Sequence, residues 1–131
     1  MQILQPPGWA RPKGYSNGIA VRGGKTVYIA GQVGWTAEGI FAEKSFGGQF
    51  KQALANILAV LAEAGGRPEH LVRMTWYVVD RGEYFRALGE IGAAYRELIG
   101  RHFPVMTVVE VRGLVGAEAR LEIEATAVVP D

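Results

Sequence analysis

Apolar residues follow a helical spacing in two stretches of the chain. In the first stretch they recur every three or four residues, at Phe46, Phe50, Ala53, Ile57 and Leu61. This spacing places them on one face of an amphipathic helix that packs against a core. Ser45 is a suitable N-cap for this helix. Gly65 and Gly66 end it, because glycine readily adopts the left-handed conformation that follows many helix C-termini.

The second helical stretch runs roughly from Glu83 to Ile99. Its predicted inner face consists of Tyr84, Leu88, Ile91, Tyr95 and Leu98. Gly100 and Pro104 end this stretch, because glycine favours a C-terminal cap and proline cannot continue a helix. A single helix is therefore predicted between two of the strands.

The remaining apolar stretches are rich in β-branched and aromatic residues, which is typical of strands. "IAVRGGKTVYIAGQV", residues 19–33, predicts a β-hairpin around a glycine turn. Further strands are predicted in "HLVRMTWYVVD", residues 70–80, in "FPVMTVVEVRGL", residues 103–114, and in "RLEIEATAVV", residues 120–129. The first 18 residues, rich in proline and glycine, are expected to form an extended arm.

This order of elements predicts a single α+β domain, residues 1–131, with one mixed sheet and both helices on one face. The other face of the sheet is then uncovered. If Leu121 and Ile123 point towards the helices, Glu122 points away from them. We expect Met106, Val108 and Glu110 on the same uncovered face. A face of such mixed character predicts a subunit interface that contains a pocket.

Charge and composition exclude several classes of function. The formal net charge of +1 gives no electrostatic reason to expect nucleic acid or an anionic membrane as a partner. The chain has no cysteine, so thiol chemistry and disulfides are excluded. His70 and His102 are too far apart to indicate a metal site. Neither a signal peptide nor a membrane-spanning run is visible, so a cytoplasmic protein is expected.

Three stretches resemble a known family. They are "GYSNGIAVRGGKTVYIAGQVG", "QFKQALANILAVLAEAGGRPEHLVRMTWYVVD" and "FPVMTVVEVRGLVGAEARLEIEATAVV". The chain resembles the RidA/YjgF family of reactive-intermediate deaminases, long described as L-PSP endoribonucleases. The resemblance implies a chorismate-mutase-like fold and a homotrimer with a central β-barrel. It also implies clefts between subunits that bind small carboxylates, and hydrolysis of 2-imino acids by water without a cofactor.

Carried over residue by residue, the resemblance implies one catalytic and five ligand-binding candidates. Glu122 matches the glutamate that positions water. The ligand-binding candidates are Tyr15, Ala30, Gly31, Met106 and Val108. Ala30 stands where the family has serine, and Met106 stands where the family has the arginine that grips the carboxylate. Without that guanidinium, the usual 2-imino-acid deaminase activity is in doubt.

Each candidate also has a simpler interpretation. Met106 is able to fill space at an interface, and Glu122 to lie on a solvated strand. Tyr15 either pins the arm or contacts a ligand. Arg101 and His102 either cap a helix end or reach a ligand. Arg112 is expected to pair with an acidic neighbour rather than to replace the missing guanidinium.

Three functional hypotheses follow. The first is an enzyme that hydrolyses an imine, an enamine or a related reactive metabolite. The second is a non-catalytic trimer that binds or sequesters a small metabolite. The third, ribonuclease activity, is disfavoured because the chain is nearly neutral.

Overall fold

A four-stranded mixed sheet forms the centre of the protein in the computed structural model, which describes residues 1–131. In chain order the elements are β1 Gln2–Leu4, β2 Gly18–Ala20, β3 Lys25–Val33, α1 Phe46–Glu63, β4 Leu71–Val78, α2 Arg81–Arg86, α3 Leu88–Leu98, β5 Val105–Glu110 and β6 Leu121–Val129. The strand order of the central sheet is β3-β6-β4-β5. Only β4 and β5 are parallel, so the predicted mixed α+β sheet is confirmed.

The long helix α1 covers one face of this sheet, as its apolar spacing predicts. The Ser45 hydroxyl accepts a hydrogen bond from the Gly48 N–H and so caps the first turn. The residues predicted to form its inner face are all buried, among them Phe50. The Phe50 ring meets Trp76 of β4 edge-on, with 4.8 Å between ring centroids. On β6, Leu121, Ile123 and Ala125 belong to the same core.

The second helical stretch is two helices rather than the one predicted. Asp80 accepts hydrogen bonds from the N–H groups of Gly82 and Glu83, so α2 begins at Arg81. At Ala87 the backbone leaves the helical conformation, with φ −96° and ψ 6°, and α3 follows. The apolar residues keep their helical spacing across Ala87, so the sequence pattern does not reveal the break between α2 and α3.

The predicted hairpin between residues 19 and 33 is wrong in its pairing. Gly23 and Gly24 both have positive φ and do reverse the chain there. However, β2 pairs antiparallel with β1, and together they form a separate two-stranded sheet. β3 pairs instead with β6. None of the helices combines the length and the hydropathy that crossing a membrane requires.

Candidate functional site

A cleft of about 700 Å³ lies on the helix side of the sheet, between α2, α3 and the edge strand β5. Its wall is largely apolar and includes Trp76, Tyr84, Ile91, Tyr95, Phe103 and Met106. Three cations also line it, Lys13 of the N-terminal arm, Arg96 of α3 and Arg101 after α3. No acidic residue lines the cleft, so its electrostatic character is positive.

Met106 and Val108 do not face the uncovered side of the sheet, which corrects the prediction. In the parallel register Met106 pairs with Met74 and Val108 with Trp76, and both partners are buried on the helix side. Met106 and Val108 accordingly pack against the core. Val108 therefore has a packing role, whereas Met106 also forms part of the cleft wall.

The charged end of β5 explains why one face of this strand changes from apolar to polar. Glu110 is the last residue of β5 and lies on the same face as Met106. Its carboxylate accepts a hydrogen bond from the Arg81 N–H, 2.8 Å away, at the first residue of α2. A carboxylate is favoured there, because the unpaired N–H groups of a helix N-terminus attract negative charge. The acidic residue thus marks the end of the core rather than a solvent-facing strand.

Glu122 lies on the opposite, uncovered face. In β6 it alternates with buried Leu121 and Ile123, and it stands opposite Tyr77 of β4. It also lies against Gly31, where β3 is irregular between Ile29 and Gln32. A Cβ on Gly31 would overlap the carboxylate and come within 2.8 Å of its Cδ. Glycine at this position therefore makes room for the Glu122 side chain.

A second acidic residue on this face is held by a tyrosine. The Tyr77 hydroxyl donates a hydrogen bond of 2.6 Å to the Glu124 carboxylate. This bond raises the pKa of Tyr77 above its ordinary value, and desolvation and the nearby charges of Glu124 and Glu122 act in the same direction. Ala30 lines a second depression, of about 630 Å³, on the same face together with Arg73 and Glu124. Because Glu122 alternates with buried Leu121 and Ile123, the prediction that Glu122 faces away from the helices is confirmed.

Comparisons with known proteins identify the family. The family model described as Endoribonuclease L-PSP matches residues 9–129. The chain belongs to the RidA/YjgF family. It is 32% identical over 127 residues to a RutC family protein of Aquifex aeolicus, covering 95% of this chain and 98% of that protein. It is 30% identical over 115 residues to the 2-iminobutanoate/2-iminopropanoate deaminase of Bos taurus, covering 87% and 79%.

Solved structures of the RidA/YjgF family share this fold. A Rid family protein of unknown function from Yersinia pestis superposes with a TM-score of 0.86 at 31% identity, covering 98% of each chain. A YjgF/YER057c/UK114 family member from Mycobacterium tuberculosis gives 0.66 at 33% identity, covering 88% of this chain and 87% of that one. The α+β architecture with a mixed sheet is therefore that of the family.

Within one chain, the six residues suggested by the RidA resemblance do not meet at one point. Gly31 and Glu122 are in contact on the uncovered face, with Ala30 beside them. Met106 is across the sheet in the cleft. Tyr15 is in the arm, which the Ser16 hydroxyl fixes to the segment before β5 by donating a 2.6 Å hydrogen bond to the Phe103 carbonyl. Tyr15 is partly exposed next to this anchor.

The alternative anchors have separate positions as well. The His102 ring lies 2.6 Å from the Leu71 carbonyl, which needs a proton on that ring nitrogen, so His102 has a structural role. Arg112 follows β5, is exposed, and makes none of the four ion pairs of the chain, so the predicted ion pair is wrong. Of these three alternative anchors, only Arg101 lines the cleft.

Three features of the cleft were not predicted from the sequence. Lys13 and Arg96 join Arg101 at its margin, and the buried indole N–H of Trp76 has no acceptor. Only one sequence signal could have placed Arg96 in the cleft wall, namely its position one helical turn after Gly92 on the same face of α3. No group of three or more His, Cys, Asp or Glu side chains is placed to hold a metal ion.

Proposed function

We propose that the protein is a homotrimer whose clefts, completed between subunits, bind a small imine or enamine metabolite and hydrolyse it to a carbonyl compound and ammonia. The observation that carries this proposal is the division of the candidate groups between the two faces of the sheet. Met106 lies in the cleft, and Glu122 lies on the uncovered face, two strands away in the order β6-β4-β5. Two strand spacings amount to roughly 10 Å, and the sheet itself lies between the two side chains.

A second copy is the simplest way to bring these two groups together. The uncovered face exposes apolar surface, with Tyr28 81% exposed and Val109 39% exposed. Apolar side chains on a polar sheet face are typical of an interface. Association of this face with the β5 edge of a neighbouring subunit, along which the cleft lies, would bury the apolar groups and place Glu122 near that cleft. A trimeric barrel of the kind implied by the RidA resemblance meets this requirement.

The proposed chemistry makes modest demands on the protein. An iminium carbon is already electrophilic, so water adds to it once the substrate is oriented and the water loses a proton to a base. Collapse of the resulting carbinolamine breaks the C–N bond and releases ammonia. Glu122 is the proposed base. The bovine relative is a 2-iminobutanoate/2-iminopropanoate deaminase, which supports this reaction class.

Binding without catalysis is the second candidate, and one observation favours it. The titratable side chains that line the cleft are three cations and two tyrosines. Burial raises the pKa of both Tyr84 and Tyr95, and the Tyr95 hydroxyl already donates to the His102 carbonyl. No group in the cleft of a single chain is therefore suited to remove a proton from water. Catalysis depends on a group from another chain.

Two measurements test the proposal. Light scattering after size-exclusion chromatography should give a trimer at micromolar concentration, and a monomer would refute it. Loss of 2-iminopropionate, generated by an amino-acid oxidase and trapped with semicarbazide, should be compared for wild type, Met106→Arg, Glu122→Gln and Glu124→Gln. If Glu122 is the base, Glu122→Gln should reduce activity by about 100-fold or more, a typical general-base contribution.

Glu124→Gln is the matched control, because it removes the same charge from the same face of β6. Equal losses in both variants would indicate a general charge effect and contradict a specific role for Glu122. Activity only in Met106→Arg would show that the scaffold is competent and that Met106 marks a different substrate. Trimers in which neither wild type nor Met106→Arg accelerates imine loss would favour the binding function.

A further inference from the structure

The cleft has positive charge that nothing in the chain neutralises. Lys13, Arg96 and Arg101 line it, and none of them belongs to an ion pair. None donates a side-chain hydrogen bond to a carbonyl either. Lys44, elsewhere in the chain, pairs with Glu118 and also donates to the Phe41 carbonyl. All three residues are exposed and lie around one cleft without partners, an arrangement that is suited to an anionic ligand.

The simplest alternative explanation is that these arginines stabilise the C-terminus of α3. Cations are favoured there because the last carbonyls of a helix carry partial negative charge. However, neither guanidinium donates a hydrogen bond to a carbonyl of α3, and the Tyr95 carbonyl is already satisfied by the N–H groups of Ile99 and Gly100. The Arg96 guanidinium instead lies along the helix, 3.4 Å from the place of a Cβ on Gly92. The lack of a side chain on Gly92 leaves room for Arg96 at the cleft wall.

The apolar part of the cleft indicates the size of the ligand. The volume of about 700 Å³ is in the range of sites for drug-sized molecules and exceeds what a three-carbon acid fills. Tyr95 and Phe103 form a stacked pair in its wall, with 5.7 Å between ring centroids and an interplanar angle of 2°. Flat aromatic surfaces of this kind favour a planar or branched apolar group.

Trp76 adds an unusual polar feature to this wall. Its side chain is only 4% exposed, and its indole N–H has no hydrogen-bond acceptor in the chain. Buried donors are nearly always paired, so an unpaired one requires an explanation. The indole nitrogen is shielded from solvent, however, so a ligand in the cleft does not reach it as the wall stands.

We propose that the cleft selects a carboxylate with a large apolar substituent, such as an arylalkyl 2-imino or 2-oxo acid, and that Arg96 and Arg101 bind its carboxylate. This inference rests on the proposed function and specifies its substrate class. The two guanidiniums supply paired N–H donors that fit a carboxylate. Met106 then serves as apolar wall for the substituent.

Calorimetric titration of the wild-type protein with phenylpyruvate, pyruvate and the neutral methyl ester of phenylpyruvate tests the inference. Phenylpyruvate should bind at least about tenfold more tightly than pyruvate, because its ring removes apolar surface from water. It should also bind at least about tenfold more tightly than the ester, because charge-assisted hydrogen bonds are lost with the carboxylate. The double variant Arg96→Gln/Arg101→Gln should lose the preference for the acid over the ester.

Arg112→Gln is the matched control, since Arg112 is exposed, unpaired and outside the cleft, and its affinities should match those of wild type. Equal affinities for pyruvate and phenylpyruvate would overturn the inferred substrate class but leave the proposed function intact. An unchanged preference for the acid in the double variant would overturn the role of the arginines. Loss of 2-iminopropionate in the earlier assay without any phenylpyruvate binding would likewise refute this inference while supporting the proposed function.

Discussion

Gln49 connects three backbone segments near the start of β6 and should contribute strongly to stability. Its side chain is 1% exposed. The amide nitrogen donates to the carbonyls of Glu43 and Glu118, at 3.1 and 3.0 Å, and the amide oxygen accepts from the Arg120 N–H at 2.8 Å. Two loops and the beginning of β6, two residues before Glu122, are thereby fixed to α1.

Replacing Gln49 with leucine should lower the free energy of unfolding by about 3 kcal/mol. Three hydrogen bonds are lost at about 1 kcal/mol each, and leucine is close enough in volume to keep a cavity term small. Marginal stabilities of about 5–15 kcal/mol make such a loss easy to detect. Denaturation by urea, followed by tryptophan fluorescence, measures it. Several protein concentrations are needed, because self-association raises the apparent stability.

Gln52→Leu is the matched control on the same helix. The Gln52 side chain makes one hydrogen bond, 2.9 Å long, to the Asn56 side chain in a half-buried position. Its loss should cost less than about 1 kcal/mol, because water replaces a partner at such a site. A loss below about 1 kcal/mol for Gln49→Leu, or equal losses in both variants, would refute the assigned role.

Two further predictions concern glycines and alkaline pH. Gly31→Ala should change the unfolding free energy by less than about 1 kcal/mol, because the flexible Glu122 side chain is able to move. Gly34→Ala should cost about 1–3 kcal/mol, because its Cβ would lie 2.7 Å from the Gln49 backbone. Denaturant unfolding compares the two variants, and equal costs would contradict this reasoning. Burial raises the pKa of Tyr95 far above its usual value, so the unfolded state ionises first, and stability that is fully present below about pH 10 should be lost as the pH rises further. Tyr95→Phe should flatten this decline above about pH 10, measured by urea unfolding, and an unchanged slope would contradict the assignment.

The helices were predictable because their signals are local. The Ser45 cap and the spacing from Phe46 to Leu61 lie within one stretch of the chain, and both are confirmed. The pairing of β2 was not predictable in this way. Gly23 and Gly24 establish that the chain turns, but a turn does not specify which strand lies alongside, and β1 takes the place that β3 was expected to fill.

The orientation of β5 was wrong for a related reason. Both faces of this strand carry apolar residues, Met106 and Val108 on one and Val105 and Val109 on the other, so alternation does not identify the buried face. Glu110 suggested that its own face was uncovered. Pairing with Met74 and Trp76 of β4 decides the matter, and that contact is distant in sequence. The charge of Glu110 is accommodated at the start of α2, which a strand pattern cannot show.

The division of the site between two faces has a consequence for how this protein changes in evolution and in engineering. A cleft residue such as Met106 packs within its own chain, so its replacement is limited by the core as well as by the ligand. Glu122 lies on a face that no other element of the chain covers, so in the proposed trimer its surroundings would depend on a neighbouring subunit. Under the two proposals, affinity and catalysis are separable, because Arg96 and Arg101 would determine which acid is held and association would determine whether a base reaches it. A chain that binds phenylpyruvate yet hydrolyses no imine would still have a functional cleft, and the missing element would then lie at the interface.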